Sequence, residues 1–191
     1  VQPPTASCAP GARPAGCIRI AMVYNMDERP TGAAPEAVRF EGRSAFQQLV
    51  RDALARAAQE GWRELVLCDA TFEDWPLGER AVAESLNAWS TGSRRITLLA
   101  KNYDCVVRNH ARFVTWRRTW SHIVDARACP GADPLELPST IWSPHWVMQR
   151  LDPVHCNGYV GTEPRRCTDV RELLHEWLAR SSPAFAATTL G

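Results

Sequence analysis

His145 and Asp152 are the residues of this chain whose types and spacing best suit catalysis. His145 opens a strand-like stretch, Asp152 closes it, and Gly161-Thr162 precede the last predicted helix. An imidazole can act as a nucleophile or general base, and a carboxylate can set its protonation. Val147 lies two residues after His145, on the same face of a strand, and brings no charge to that face. The spacing therefore predicts a candidate catalytic histidine with an apolar neighbour on its strand face.

This spacing resembles the motif of the phospholipase D superfamily, His-x-Lys-x4-Asp followed by Gly-Ser-x-Asn. The resemblance implies that His145 attacks phosphorus and that Asp152 helps to orient it. It also implies that Gly161-Thr162 form the turn before the next helix and that the ligand contains phosphate. The family builds its site from two facing motifs, whereas this chain carries one, and a homodimer could supply the second.

The departures from the motif argue against the family's reaction. Val147 replaces the lysine, Pro164 replaces the asparagine, and two extra residues precede the Gly-Thr pair. Losing a charged contact of this kind typically slows a reaction about a thousandfold or more. We therefore expect a non-catalytic binding or accessory module. The alternative is a divergent phosphodiesterase or phosphotransferase that uses His145 and borrows Lys101 or a partner's arginine, because Arg150 points to the opposite strand face.

A broader resemblance runs from residue 64 to the C-terminus. It is carried by the segments LVLCDATFEDWPLGERAV, RRITLLAKNYD, HARFVTWRRTWSH and SSPAFAATTLG. These segments are similar to a proteobacterial domain of unknown function that is related to the phospholipase D fold. The resemblance implies a bacterial cytoplasmic protein and assigns no reaction.

A second group of polar residues follows two predicted strands. Asp69 comes directly after one strand, and Lys101-Asn102 follow another. Ligands of open α/β sheets bind outside the carboxyl ends of parallel strands, so this group could bind phosphate or Mg²⁺. An ion pair between Asp69 and Lys101 that caps the loops is the alternative.

Residues 113–122 alternate aromatic residues with arginines, a pattern that suits nucleic-acid binding. On a helix, however, the aromatic rings share one face, while Arg117 and Arg118 point elsewhere. The simpler interpretation is a buried aromatic stripe beside a solvated arginine pair. The net charge of +1 also argues against a nucleic-acid partner.

Composition narrows the class of protein further. The chain has 191 residues, of which 45% are hydrophobic, which is enough for one globular domain. Its seven cysteines are an odd number and show no zinc-like spacing, so we expect a reducing cytoplasm, no metal and no cofactor. No apolar run approaches the roughly 20 residues that span a bilayer.

The periodicity of apolar residues predicts one α/β domain. Helices are expected at 44–60, 77–89, 103–121 and 168–180, and strands at 18–24, 64–68, 95–100, 123–128, 145–151 and 157–162. Repeated helix–strand units favour a three-layer fold with a mixed, largely parallel sheet. We expect residues 1–17 to form a disordered leader, 18–180 the domain and 181–191 a tail on the surface.

Overall fold

The computed structural model describes residues 37–187, and within this range the chain forms eight strands and five α-helices. The strands are β1 (Val38–Phe40), β2 (Glu64–Asp69), β3 (Arg95–Ala100), β4 (Val124–Ala128), β5 (Ser139–Ser143), β6 (Trp146–Asp152), β7 (Asn157–Gly161) and β8 (Ser182–Pro183). The helices are α1 (Arg43–Glu60), α2 (Arg80–Trp89), α3 (Asp104–Asn109), α4 (Ala111–Thr119) and α5 (Pro164–Ala179). The leader predicted at 1–17 and the strand predicted at 18–24 lie outside the described residues.

All eight of these strands form one mixed sheet in the order β1-β7-β6-β5-β2-β3-β4-β8. Among the described residues, β2–β3 and β3–β4 pair in parallel, and the other five pairings are antiparallel. The prediction of a largely parallel sheet is therefore wrong, although the prediction of a mixed sheet is confirmed.

The antiparallel part of the sheet follows from its short connections. Pro144-His145 alone join β5 to β6, and residues 153–156 join β6 to β7. Strands joined by so few residues can pair only in antiparallel fashion. The sequence analysis missed β5 because its hydroxyl residues interrupt the apolar run, although all five residues are buried.

Helices cover both faces of the sheet, which confirms the three-layer architecture. Leu65 and Leu67 of β2 face a core formed with α1, α2 and α4, whereas Val66 and Cys68 face a second core beneath α5. A strand buried on both faces reads as a continuous apolar run. That is why β2 was predictable within one residue.

Local sequence signals explain where α1 and the predicted third helix end. Gly61 closes α1 in the left-handed region with φ 71°, and Gly42 occupies the N-cap. The predicted helix 103–121 is broken at His110, whose backbone leaves the helical region. The buried His110 Nε2 lies 3.0 Å from the Phe72 carbonyl oxygen, which ties the break to the loop after β2.

The described part of the predicted tail is packed against the domain. Ser182–Pro183 form β8 and pair with β4, and the Phe185 ring stacks on Tyr103 at 4.7 Å. Residues 182–187 therefore lie at the surface, where β8 pairs with the edge of the sheet. Residues 188–191 lie outside the described range.

Candidate functional site

The sheet register brings the two halves of the degenerate motif to one end of the sheet. Val147 at the start of β6 pairs with Gly161 at the end of β7. This end holds the amino-terminal edges of the parallel strands, because Val147 also pairs with Trp142, and Trp142 with Val66 of β2.

His145 lies outside the strand, in the exposed two-residue turn between β5 and β6. Its ring approaches the buried Trp62 ring edge-on, with centroids 5.1 Å apart. The position is open to solvent, and it lies at the opposite end of the parallel strands from Lys101, which follows the carboxyl end of β3. Lys101 therefore does not supply the cation that His145 lacks.

Val147 occupies a closed position. Its side chain is 0% exposed and belongs to the core beneath α5, with Val170 and Leu174. A phosphate oxygen cannot reach this position without displacing that packing. Arg150 lies on the other face of β6, as the strand alternation predicted, and contacts the first core.

Asp152 lies at the far end of β6, roughly 20 Å from His145 at about 3.3 Å per residue. Its carboxylate accepts hydrogen bonds from the backbone N–H of Val154 (2.9 Å) and His155 (3.1 Å), and Oδ2 lies 2.6 Å from His155 Nδ1. The backbone N–H of His155 and then its side chain lower the pKa of Asp152. Asp152 therefore orients a local turn and does not orient His145.

Gly161 and Thr162 line a shallow cleft of about 350 Å³ with Trp146 and Val160. Thr162 is exposed, and Pro164 begins α5 two residues later. Proline suits the first turn of a helix, but it carries no side-chain amide for a ligand. The Gly161-Thr162 segment therefore leads from β7 into α5 without a side-chain amide that could bind a ligand.

Asp69 is enclosed by protein donors. Its Oδ1 accepts the backbone N–H groups of Thr71 (3.1 Å) and Phe72 (2.8 Å). Its Oδ2 accepts the Ser139 hydroxyl at 2.6 Å and the Arg150 guanidinium at 2.8 Å. The partner of Asp69 is therefore Arg150 and not Lys101, and the predicted ion pair with Lys101 is wrong.

Arg150 is the residue at this edge of the sheet that the sequence analysis missed. It is 6% exposed, lies 4.5 Å from the centroid of the Phe46 ring and donates from Nη1 to Asp74 at 2.8 Å. Burial alone lowers the pKa of Arg150, but Asp69 and Asp74 outweigh burial and raise it. We interpret this cluster as structural, because every charge in it is paired.

Lys101 and Asn102 lie at the carboxyl end of β3, as predicted, and both line a cavity of about 470 Å³. Asn102 Oδ1 accepts the backbone N–H of Asp104 at 3.2 Å, at the start of α3. Asp69 does not line this cavity. The five predicted ligand-binding residues thus fall into three separate places: the Asp69 cluster, this cavity and the cleft at Gly161-Thr162.

The arginine–tryptophan segment forms α4 and the 3₁₀ turn Ser121–Ile123. Trp116 is buried and donates from Nε1 to the Ser90 hydroxyl at 2.9 Å, and Trp120 donates to Asn87 at 3.0 Å. The interpretation as a packed aromatic stripe is confirmed. The prediction of a solvated arginine pair is half wrong, because Arg118 is exposed but Arg117 is buried.

Two general features of the described residues bear on function. Within residues 37–187, no group of three or more His, Cys, Asp and Glu side chains is arranged to hold a metal ion. In the same range, no helix combines the length and the apolar character needed to cross a bilayer.

Solved structures share this fold at low sequence identity. TrmBL2, an archaeal chromatin protein with a novel mode of DNA binding, matches with a TM-score of 0.57 and 13% identity over 84% of this chain and 57% of its own. Nuc, a phospholipase D family member from Salmonella typhimurium, matches with a TM-score of 0.50 and 10% identity over 78% of this chain and 99% of its own. Phosphatidylserine synthase from Haemophilus influenzae Rd KW20 matches with a TM-score of 0.50 and 13% identity over 80% of this chain and 40% of its own.

These structural similarities show that the fold is phospholipase D-like. The chain spans 57% of TrmBL2 and 40% of the synthase, but nearly all of Nuc. A scan against protein-family models and a search of curated proteins each returned no match.

Proposed function

We propose that this chain is a non-catalytic phospholipase D-like module that binds a ligand and does not cleave phosphodiesters. The observation that carries the proposal is Val147, which is fully buried beneath α5 at the position where the motif has its lysine. His145 lies in an exposed turn, where its ring packs edge-on against Trp62.

Energetics support a large loss of activity. A preorganised group that stabilises developing negative charge is typically worth about 3–4 kcal/mol, or a factor of roughly one hundred to one thousand in rate. The position that held the asparagine is Pro164, which has no donor to replace it. The two losses together leave His145 with little to stabilise a transition state.

The rival function is a divergent phosphodiesterase or phosphotransferase that works as a homodimer. The exposure of His145 supports this alternative, because a second copy could approach the turn and supply an arginine. Such an enzyme would lose activity on dilution as the dimer dissociates.

The test is hydrolysis of a chromogenic phosphodiester by the full chain over a range of protein concentrations. We expect no turnover above buffer for the wild type or for His145→Ala. His122→Ala, which removes another exposed histidine, is the matched control. Turnover that disappears in His145→Ala and persists in His122→Ala would establish the rival function.

Nucleic-acid binding is a second candidate, favoured by the structural likeness to TrmBL2. Trp116 is buried and Trp120 is half-buried and held by Asn87, so this segment offers little aromatic surface for bases to stack on. We therefore expect a labelled DNA duplex to bind only weakly, and with a shallow salt dependence. Tight binding that falls steeply with salt, measured by fluorescence anisotropy, would favour this second candidate.

We also infer that the protein acts in a bacterial cytoplasm. The five cysteines of the described range are buried and unpaired, which suits a reducing compartment. Fractionation of the source cells tests this inference, and a periplasmic location would overturn it.

A further inference from the structure

A cavity of about 470 Å³ opens at the carboxyl ends of β3 and β4, away from the degenerate motif. Its walls come from four segments that are distant in sequence: the turn after β3, α3 with α4, the residues after β4, and residues 184–186. Volumes of about 300–1,000 Å³ are typical of small-molecule sites, which also favour the carboxyl ends of parallel strands.

Arg117 of α4 lines this cavity and lacks partners. The residue is 7% exposed, yet neither Nε nor Nη1 has a hydrogen-bond partner within residues 37–187. It also forms no ion pair in that range. Within the same range, its guanidinium makes a cation–π contact with Phe185, whose ring centroid is 5.9 Å from the guanidinium carbon.

An unpaired buried guanidinium is energetically unfavourable. Taking a charge out of water costs several kcal/mol unless a counter-charge or hydrogen bonds compensate. Burial lowers the pKa of Arg117, and the electrostatic effects of Tyr103 and Asp125 oppose it only in part. An anion in the cavity would supply the missing hydrogen bonds, because the planar guanidinium fork matches carboxylate and phosphate oxygens.

The rest of the cavity adds positive charge. Lys101, the only lysine of the chain, and Arg118 also line it, against a single acidic residue, Asp104. Neither Lys101 nor Arg118 forms an ion pair with any described residue. A local excess of two positive charges stands out in a chain whose net charge is +1.

The remaining walls are apolar and partly aromatic. Phe185 stacks on Tyr103 with ring centroids 4.7 Å apart and planes 11° apart. Val107 and Val114 complete this side. A flat apolar group would make van der Waals contact with these walls, whereas a free inorganic ion would leave their apolar surface exposed to water.

We infer that this cavity binds a small organic anion, in which a carboxylate or phosphate monoester meets Arg117 and an apolar, planar body lies against Phe185. The inference rests on the proposed function, because it names the ligand class of a binding module. The anchor is Arg117, and Lys101 and Arg118 attract the same charge from the rim.

The test is calorimetric titration of the full chain with naphthyl phosphate, naphthoate, naphthylmethanol and inorganic phosphate. We expect the two organic anions to bind at least about tenfold more tightly than the neutral alcohol or inorganic phosphate. A preference between the two organic anions identifies which acid group the site takes. Equal binding of the neutral alcohol, or no binding of either organic anion, would overturn the inference.

Variants separate the anchor from a general charge effect. Arg117→Met should weaken binding of the organic anions at least about tenfold, and Lys101→Gln about twofold to fivefold. Arg63→Met, which removes an exposed arginine outside the cavity, should leave binding unchanged. Unchanged binding in both Arg117→Met and Lys101→Gln would overturn the site, and Lys101→Gln decides the matter if Arg117→Met does not fold.

Failure of this inference is distinguishable from failure of the proposed function. Phosphodiester turnover that depends on His145 would overturn the non-catalytic proposal, whatever the cavity binds. Absent binding to the cavity, together with absent turnover, would overturn only the ligand class named here.

Discussion

Arg150 and Arg117 are both buried, and their surroundings differ completely. Arg150 is held between Asp69 and Asp74 at 2.8 Å and lies over the Phe46 ring. Arg117 is equally buried, yet two of its nitrogen atoms have no partner among residues 37–187. A buried charge with a complete set of protein partners stabilises its own fold, whereas one without partners points to a ligand.

The largest effect is expected from placing a third cation in the core. Val147→Lys would restore the lysine of the motif, but it buries an ammonium among apolar side chains beneath α5. We expect the free energy of unfolding to fall by more than about 4 kcal/mol, with no gain of phosphodiesterase activity. Urea denaturation measures the stability, with Val147→Met as the uncharged control. Wild-type stability in Val147→Lys would mean that this position is open to a ligand after all.

The second-largest effect on stability is expected from removing Arg150, the arginine whose charge is paired. Arg150→Met leaves the Asp69 carboxylate buried without its counter-charge, which typically costs about 3–5 kcal/mol. The half-buried pair of Arg51 and Glu79 offers a control, because its charges keep contact with water and Arg51→Met should cost less than about 1 kcal/mol. A loss below about 1 kcal/mol for Arg150→Met in urea denaturation would contradict the structural role assigned to this cluster.

Removing the unpaired arginine should have the opposite outcome for stability. Arg117→Met relieves an uncompensated charge and keeps most of the apolar contact, so we expect the free energy of unfolding to stay within about 1 kcal/mol of wild type or to rise. The same urea denaturation measures it. A loss as large as that of Arg150→Met would show that Arg117 has a partner in the folded protein.

The smallest effect concerns Asp152, whose charge is exposed. Its pKa is lowered first by the backbone N–H of His155 and then by the His155 side chain, so His155→Ala should raise the pKa only in part. Because the pKa in the folded state is lowered, the stability that Asp152 contributes is present above its unfolded value of about 3.9 and is lost as pH falls through the folded value. Carboxyl chemical shifts across an acid titration measure the pKa. A return to the ordinary value in His155→Ala would show that the backbone bonds contribute nothing.

The sequence predicted the elements that have strong periodicity or clear stop signals. Helix α1 with Gly61 at its end and the apolar strands β2 and β3 were found within one or two residues. The strands β1, β5 and β8 were missed, since β5 is rich in hydroxyl residues and the other two are only three and two residues long. Without β5 the short connections around it could not be recognised, and the sheet was predicted to be largely parallel.

The candidate sites were less predictable, because they depend on contacts between segments that are far apart in sequence. Strand ends indicated Asp69, Lys101 and Asn102, but nothing in the local sequence shows that Asp69 pairs with Arg150, 81 residues away. The helical period placed Arg117 away from the aromatic stripe and therefore in solvent. Its burial comes from residues 184–186, which close the cavity from the C-terminal end of the described range.

The most direct test of whether the unpaired Arg117 binds a ligand is a melting-temperature measurement. It compares the wild type with Arg117→Met, each with and without naphthyl phosphate. A ligand that binds the folded state at about 100 times its Kd stabilises it by about 2.7 kcal/mol, which corresponds to roughly 5–10 °C here. We expect this rise for the wild type and no more than about half of it in Arg117→Met, where binding at least about tenfold weaker leaves at most about 1.4 kcal/mol of stabilisation. Equal rises in both proteins, or no rise in the wild type, would contradict this expectation.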